Sequence, residues 1–87
     1  MTPEIEILRQ KLDSIEDNLI ALLNERAKYV LEIGKIKREK GLPIVDLKRE
    51  ETILNRIKQK NSGPISNDFL INIFRKIIDE SVRMENF

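Results

Sequence analysis

Apolar residues recur along the first third of the chain at alternating spacings of four and three: Leu8, Leu12, Ile15, Leu19 and Leu22. That period predicts one face of a helix. The same stripe continues through Arg26, Tyr29 and Val30, Ile33, then Ile36 and Lys37. A helix that buries this stripe carries two cations, Arg26 and Lys37, towards its own interior. An unpaired buried charge is very costly. No acidic run is obviously placed to neutralise the pair, so an anionic ligand is the simplest partner.

The boundaries of this helix are written in its flanks. Thr2-Pro3-Glu4 reads as N-cap, first-turn proline and first-turn acid, and Gly41-Leu42-Pro43 as a stop. The element runs over about residues 3–40 and spans roughly 55 Å at the standard rise. A compact globule of this length has a radius of gyration near ~12 Å. The chain cannot cover such a helix alone, and a second protomer related by two-fold symmetry is the expected cover. Gly34, inside the helix, costs about 1 kcal/mol relative to Ala. Its presence implies either close helix packing or room for a ligand beside Ile33 and Lys37.

Asp46 is a good N-cap for a second helix over about 47–60, with Ile53, Leu54 and Ile57 as its inward stripe. Glu50 falls on that same face and Arg49 flanks it. Asn61-Ser62-Gly63-Pro64 breaks the chain, and Ser66 or Asn67 caps a third helix over about 67–85. Its stripe is Leu70, Ile73, Phe74, Ile77 and Ile78, then Ser81, then Met84 and Glu85. No internal repeat and no strand-like alternation interrupts this pattern. The expected architecture is all-α: one domain, residues 1–87, of three helices (long, short, medium) that dimerises.

Composition narrows the function. Sixteen basic against fifteen acidic residues leave a net charge of +1, which argues against a nucleic-acid-binding surface. There is no Cys and no His, so neither a thiol nucleophile nor the commonest general base and metal ligand is at hand. No metal or cofactor is expected. No apolar run approaches the roughly 18 residues of a membrane span, and no signal-peptide core appears at the N-terminus. A soluble, cytoplasmic protein with no membrane partner is the expectation.

Five polar residues then stand out, because Arg26, Lys37, Glu50, Ser81 and Glu85 all lie on inward stripes and come from all three predicted helices. Each has a bland explanation. Arg and Lys stems can lie on a core with the charge lifted to water, and Arg26 can pair with Glu50. Ser81 can bond its own backbone, Glu85 can sit solvated on a frayed end, and Asp46 can be only a cap. Together they predict one polar pocket in an Ile/Leu-rich bundle. Once Arg9 and Arg49 are counted it holds more cation than anion, and it suits a small organic acid with more than one carboxylate.

The segments LRQKLDSIEDNLIALLNER (8–26), EIGKIK (32–37), PIVDLKREE (43–51) and IIDESV (77–82) resemble the all-helical (AroQ-type) chorismate mutases over nearly the whole chain. The resemblance implies an intertwined homodimer that converts chorismate to prephenate in the shikimate pathway to aromatic amino acids, without a cofactor. It implies that Arg26 and an Arg9 borrowed from the partner chain hold the substrate's carboxylates. Lys37 matches the lysine at the ether oxygen and a carboxylate. Asp46 and Glu50 match the acidic pair near the hydroxyl, Arg49 an orienting arginine, and Ser81 a substrate-contacting serine. Ile33, Ile53 and Ile78 match apolar walls. Glu85 departs from much of the family, which carries Gln there, although some branches use Glu. A carboxyl group donates a hydrogen bond to the ether oxygen only when protonated, so activity is expected to be greater on the acid side.

A pericyclic rearrangement suits a chain without His or Cys, since it needs restraint and electrostatics rather than a nucleophile. Two other readings remain at this level. One is an isochorismate pyruvate-lyase on the same fold, with an equally cationic pocket. The other is a non-catalytic helical dimerisation module, in which the seam cations pair with acids across the dimer.

Overall fold

In a computed structural model, residues 2–86 are described and form three helices: α1 (Pro3–Lys40), α2 (Leu47–Lys60) and α3 (Asn67–Glu85). Side chains close the N-terminus of each. The Thr2 hydroxyl accepts from the Ile5 amide at 3.3 Å, the Asp46 carboxylate from Arg49 at 3.0 Å, and the Ser66 hydroxyl from Phe69 at 3.0 Å. Ser66, rather than Asn67, is therefore the cap of α3. α1 stops at Gly41, whose φ of 67° lies in the left-handed region that only glycine enters without steric cost. The turn then brings the Leu42 amide to the Lys37 carbonyl at 2.8 Å.

α3 is the shared element, packed against α1 on one side and α2 on the other. The buried apolar cluster lies between α2 and α3. Ile53, Ile57 and Ile78 are buried there, with Leu54, Leu70 and Phe74 packed around them. α1 contributes only Val30 and Gly34 to the buried set. Gly34 decides between its two explanations, because a Cβ at this position would stand 2.9 Å from the Glu85 Cα and 3.0 Å from its carbonyl oxygen. The glycine is there for backbone contact between α1 and α3.

The N-terminal half of α1 extends beyond the other two helices. Its stripe residues Leu8, Leu12, Ile15, Leu19 and Leu22 are all more than half exposed. The chain measures 57 × 24 × 16 Å, with a radius of gyration of 16.6 Å. Its accessible surface is 7183 Å², against about 5,300 Å² for a compact monomer of this mass. Among the described residues, no helix is long and apolar enough to cross a membrane.

Candidate active site

The 3.6-residue period puts Arg26, Val30, Ile33 and Lys37 on one face of α1, and that face forms one wall of a cavity of about 90 Å³. Asp46, the cap of α2, lines it with Glu50 and Ile53 of that helix, and α3 supplies Ile78, Ser81, Val82 and Glu85. Six of the polar residues singled out in the sequence (Arg26, Lys37, Asp46, Glu50, Ser81, Glu85) thus share one cavity with the three apolar wall residues Ile33, Ile53 and Ile78. Arg9 and Arg49 are not on its wall. Arg9 lies exposed near the far end of α1, with its guanidinium 3.3 Å from Glu6. Arg49 is exposed on the first turn of α2.

Each charged side chain on the cavity wall has a partner within the chain, but only Lys37 and Glu85 pair with one another. Lys37 Nζ donates to Glu85 Oε1 at 2.9 Å and to the Ile44 carbonyl at 2.8 Å. Glu85 is buried, with 8% of its surface exposed, so it is neither frayed nor solvated. Glu50 pairs with Arg75 of α3 at 2.8 Å, not with Arg26. Asp46 uses one carboxylate oxygen to cap α2. The Arg26 guanidinium donates to the Ser81 hydroxyl, which in turn donates to the Ile77 carbonyl at 2.6 Å. Among the described residues, no carboxylate comes within ion-pair distance of Arg26. Burial draws its guanidinium below the ordinary value; repulsion from Arg49 adds to this, Glu85 opposes it, and Arg56 adds a further small push. Arginine remains charged regardless, so Arg26 is a half-buried cation with room for an anion.

The cavity is smaller than the roughly 300–1,000 Å³ of a typical small-molecule site. The Lys37–Glu85 pair and the Arg26–Ser81 bond each join two residues of its wall. Beside it runs an open apolar groove of about 470 Å³ between α1 and α3, lined by Leu19, Leu23, Ala27, Ile73, Ile77 and Met84. Arg26 and Ser81 border both the groove and the cavity. Among the described residues, no group of acidic side chains is placed to hold a metal ion.

Sequence reasoning misses several contributors. The Ile44 carbonyl reaches Lys37 only because the turn at Gly41 folds the chain back. Arg75 sits beside the apolar stripe of α3 rather than on it, so periodicity gives no sign of its ion pair. Arg38, which donates to the Glu85 carbonyl, lies one position past Lys37 with nothing to mark it. Val82, beside Ser81, also lines the cavity without any mark in the sequence.

Comparison with known proteins places this arrangement. The family described as chorismate mutase type II matches residues 8–86. A bifunctional chorismate mutase/prephenate dehydratase of Aquifex aeolicus is 36% identical over 86 residues, 94% of this chain and 24% of the relative. The chain thus spans about a quarter of the length of such relatives. Among solved structures, a chorismate mutase of Thermus thermophilus superposes with a TM-score of 0.93 at 35% identity, over 95% of this chain and 94% of that one. A Helicobacter pylori chorismate mutase in complex with prephenate gives 0.89 at 28% identity, over 98% and 92%. With the family pattern running from Leu8 to Asn86 and the three-helix fold matched nearly end to end, the chain belongs to the type II chorismate mutase family.

Proposed function

We propose that this chain is a chorismate mutase that rearranges chorismate to prephenate in aromatic amino-acid biosynthesis, acting as a single helical domain within a two-fold homodimer. One observation carries the reading: Arg26, Lys37, Ser81 and Glu85 meet Ile33, Ile53 and Ile78 around one cavity. The family membership and the likeness to the prephenate-bound H. pylori enzyme support it.

The reaction breaks one C–O bond and forms one C–C bond within the substrate, and no proton or electron leaves it. The protein's task is to hold the flexible enolpyruvyl arm over the ring and to stabilise the negative charge that grows on the ether oxygen. Arg26 and the partner subunit's Arg9 hold the two carboxylates, each as a planar fork. Lys37 faces the ether oxygen and one carboxylate. Asp46 and Glu50 lie near the hydroxyl, with Arg49 orienting that region and Ser81 contacting the substrate. The arriving dianion competes with Glu85 for Lys37. Glu85 is the candidate donor to the ether oxygen, a role that requires its carboxyl group to be protonated.

The dimer rests on surface and charge. The chain exposes about 1,900 Å² more than a compact monomer would, most visibly along the stripe of α1. Within one chain the cavity holds two cations, Arg26 and Lys37, against three acids, Asp46, Glu50 and Glu85. A dianion needs further positive charge, and the open groove that adjoins Arg26 and Ser81 suits a partner's helix. Sedimentation at micromolar concentration should give two chains per particle. Purified protein should consume chorismate and release prephenate. Release of pyruvate from isochorismate, with chorismate untouched, would instead identify a pyruvate-lyase.

A further inference from the structure

Three residues of α1, spaced i, i+3 and i+4, meet α3 at a single residue, and each meets a different part of it. Gly34 brings the α1 backbone against the Glu85 main chain, where a Cβ would stand 2.9 Å from the Cα. Lys37 takes the carboxylate at 2.9 Å. The Arg38 guanidinium donates to the Glu85 carbonyl oxygen. Glu85 is the last residue of α3. At such a position the carbonyl has no partner within the helix, and the final turn frays most easily. A cation there also meets the negative end of the helix dipole.

We propose that Arg38, together with the close approach at Gly34, is a positioning device that pins the main chain of Glu85 and so fixes where its carboxyl group stands in the cavity. This rests on the reading above, in which Glu85 acts on the ether oxygen. Arg38 does not line the cavity, so it acts through Glu85 and not on the substrate. A glutamate has three side-chain torsions, and its carboxyl is well placed only if its Cα is. A displacement of about 1 Å at a catalytic group can cost as much as 10²-fold in rate. Two α1 residues therefore hold the backbone while the third, Lys37, meets the functional end.

A double-mutant cycle separates this role from simple helix capping. Arg38→Met, Arg38→Lys, Glu85→Ala and the Arg38→Met/Glu85→Ala double variant are compared for kcat and KM on chorismate, with the folded fraction followed by circular dichroism. Arg38→Met should lower kcat about tenfold or more, with KM within about twofold, since the Glu85 contact strengthens in the transition state. Arg38→Lys keeps a charged donor and should restore most of the rate. In the Glu85→Ala background, Arg38→Met should change kcat by less than about twofold, because the group it positions is gone. Equal losses in both backgrounds, no loss in the native background, or a loss that tracks the folded fraction would each overturn the proposal. If Glu85→Ala itself turns over normally, the assignment of Glu85 to the ether oxygen fails, and the positioning role with it.

Discussion

Lys37 is oriented by two acceptors that lie on different elements, the Glu85 carboxylate on α3 and the Ile44 carbonyl in the turn after α1. Its ammonium group is therefore aimed before any ligand arrives, which is the condition under which a fixed charge is worth most to a transition state. Lys37→Ala should lower kcat about 10²–10³-fold, the usual cost of losing one preorganised donor, while KM rises less; near-normal turnover in a steady-state assay would remove Lys37 from the reaction. Glu85 allows a sharper test. It pairs with Lys37, and as a donor to the ether oxygen its carboxyl group must carry a proton. Glu85→Gln keeps a donor at that position and should retain activity, whereas Glu85→Ala should lower kcat. A steady-state assay in which Glu85→Gln loses as much activity as Glu85→Ala would mean that Glu85 only anchors Lys37. At this scale the sequence is a good guide to which residues meet and a poor one to how they bond. Periodicity alone puts Arg26, Lys37, Glu50, Ser81 and Glu85 on facing stripes, and they line one cavity. It does not reveal that Glu50 binds Arg75 instead of Arg26, or that Arg38 holds a main-chain oxygen. Those depend on side-chain reach across a helix crossing, which no local pattern encodes.

Between elements, the division of labour is uneven. α2 and α3 share the isoleucine core, whereas α1 meets α3 through the backbone approach at Gly34, the Arg26–Ser81 bond and the contacts of Lys37 and Arg38 with Glu85. The two interfaces should respond differently to substitution. Ile57 is buried in the α2–α3 core but is not on the cavity wall. Ile57→Ala should cost about 2–5 kcal/mol of stability, as buried large-to-small changes do, and shift the urea midpoint downward. The kcat of the folded enzyme should stay within about twofold; a large fall at full folding would show that the core also sets the site. The helix ends are plain from Thr2-Pro3, Gly41, Asp46 and Ser66, since capping chemistry is local. The role of Gly34 is not, because a glycine that admits a backbone and one that admits a ligand look alike until the crossing is seen.

For the whole molecule, length is the decisive quantity. A 38-residue helix must stretch a chain of 87 residues, and the resulting radius of gyration, 16.6 Å, exceeds the ~12 Å of a compact fold. That elongation is legible in the sequence because the rise of a helix is fixed; the identity of the covering surface is not, since apolar stripes carry no address. The proposed cover is a second copy, and Arg9 supplies the test. It stands seventeen residues before Arg26 on the same helix, roughly 25 Å along the axis. The two guanidinium groups cannot grip one small ligand from a single chain. They can if a partner's α1 runs alongside, staggered so that the partner subunit's Arg9 reaches the cavity that Arg26 lines. Arg9→Ala and Arg26→Ala homodimers should each lose most of their activity. Mixed and allowed to exchange subunits, they form heterodimers in which one site lacks both arginines and the other keeps both. An equimolar mixture at random exchange contains half heterodimers, each with one intact site of two, so about a quarter of native activity should return. If mass spectrometry shows the heterodimer and no activity returns, the two arginines do not serve a common site. If Arg9→Ala alone remains fully active, the cavity of a single chain already holds all the cations the reaction needs.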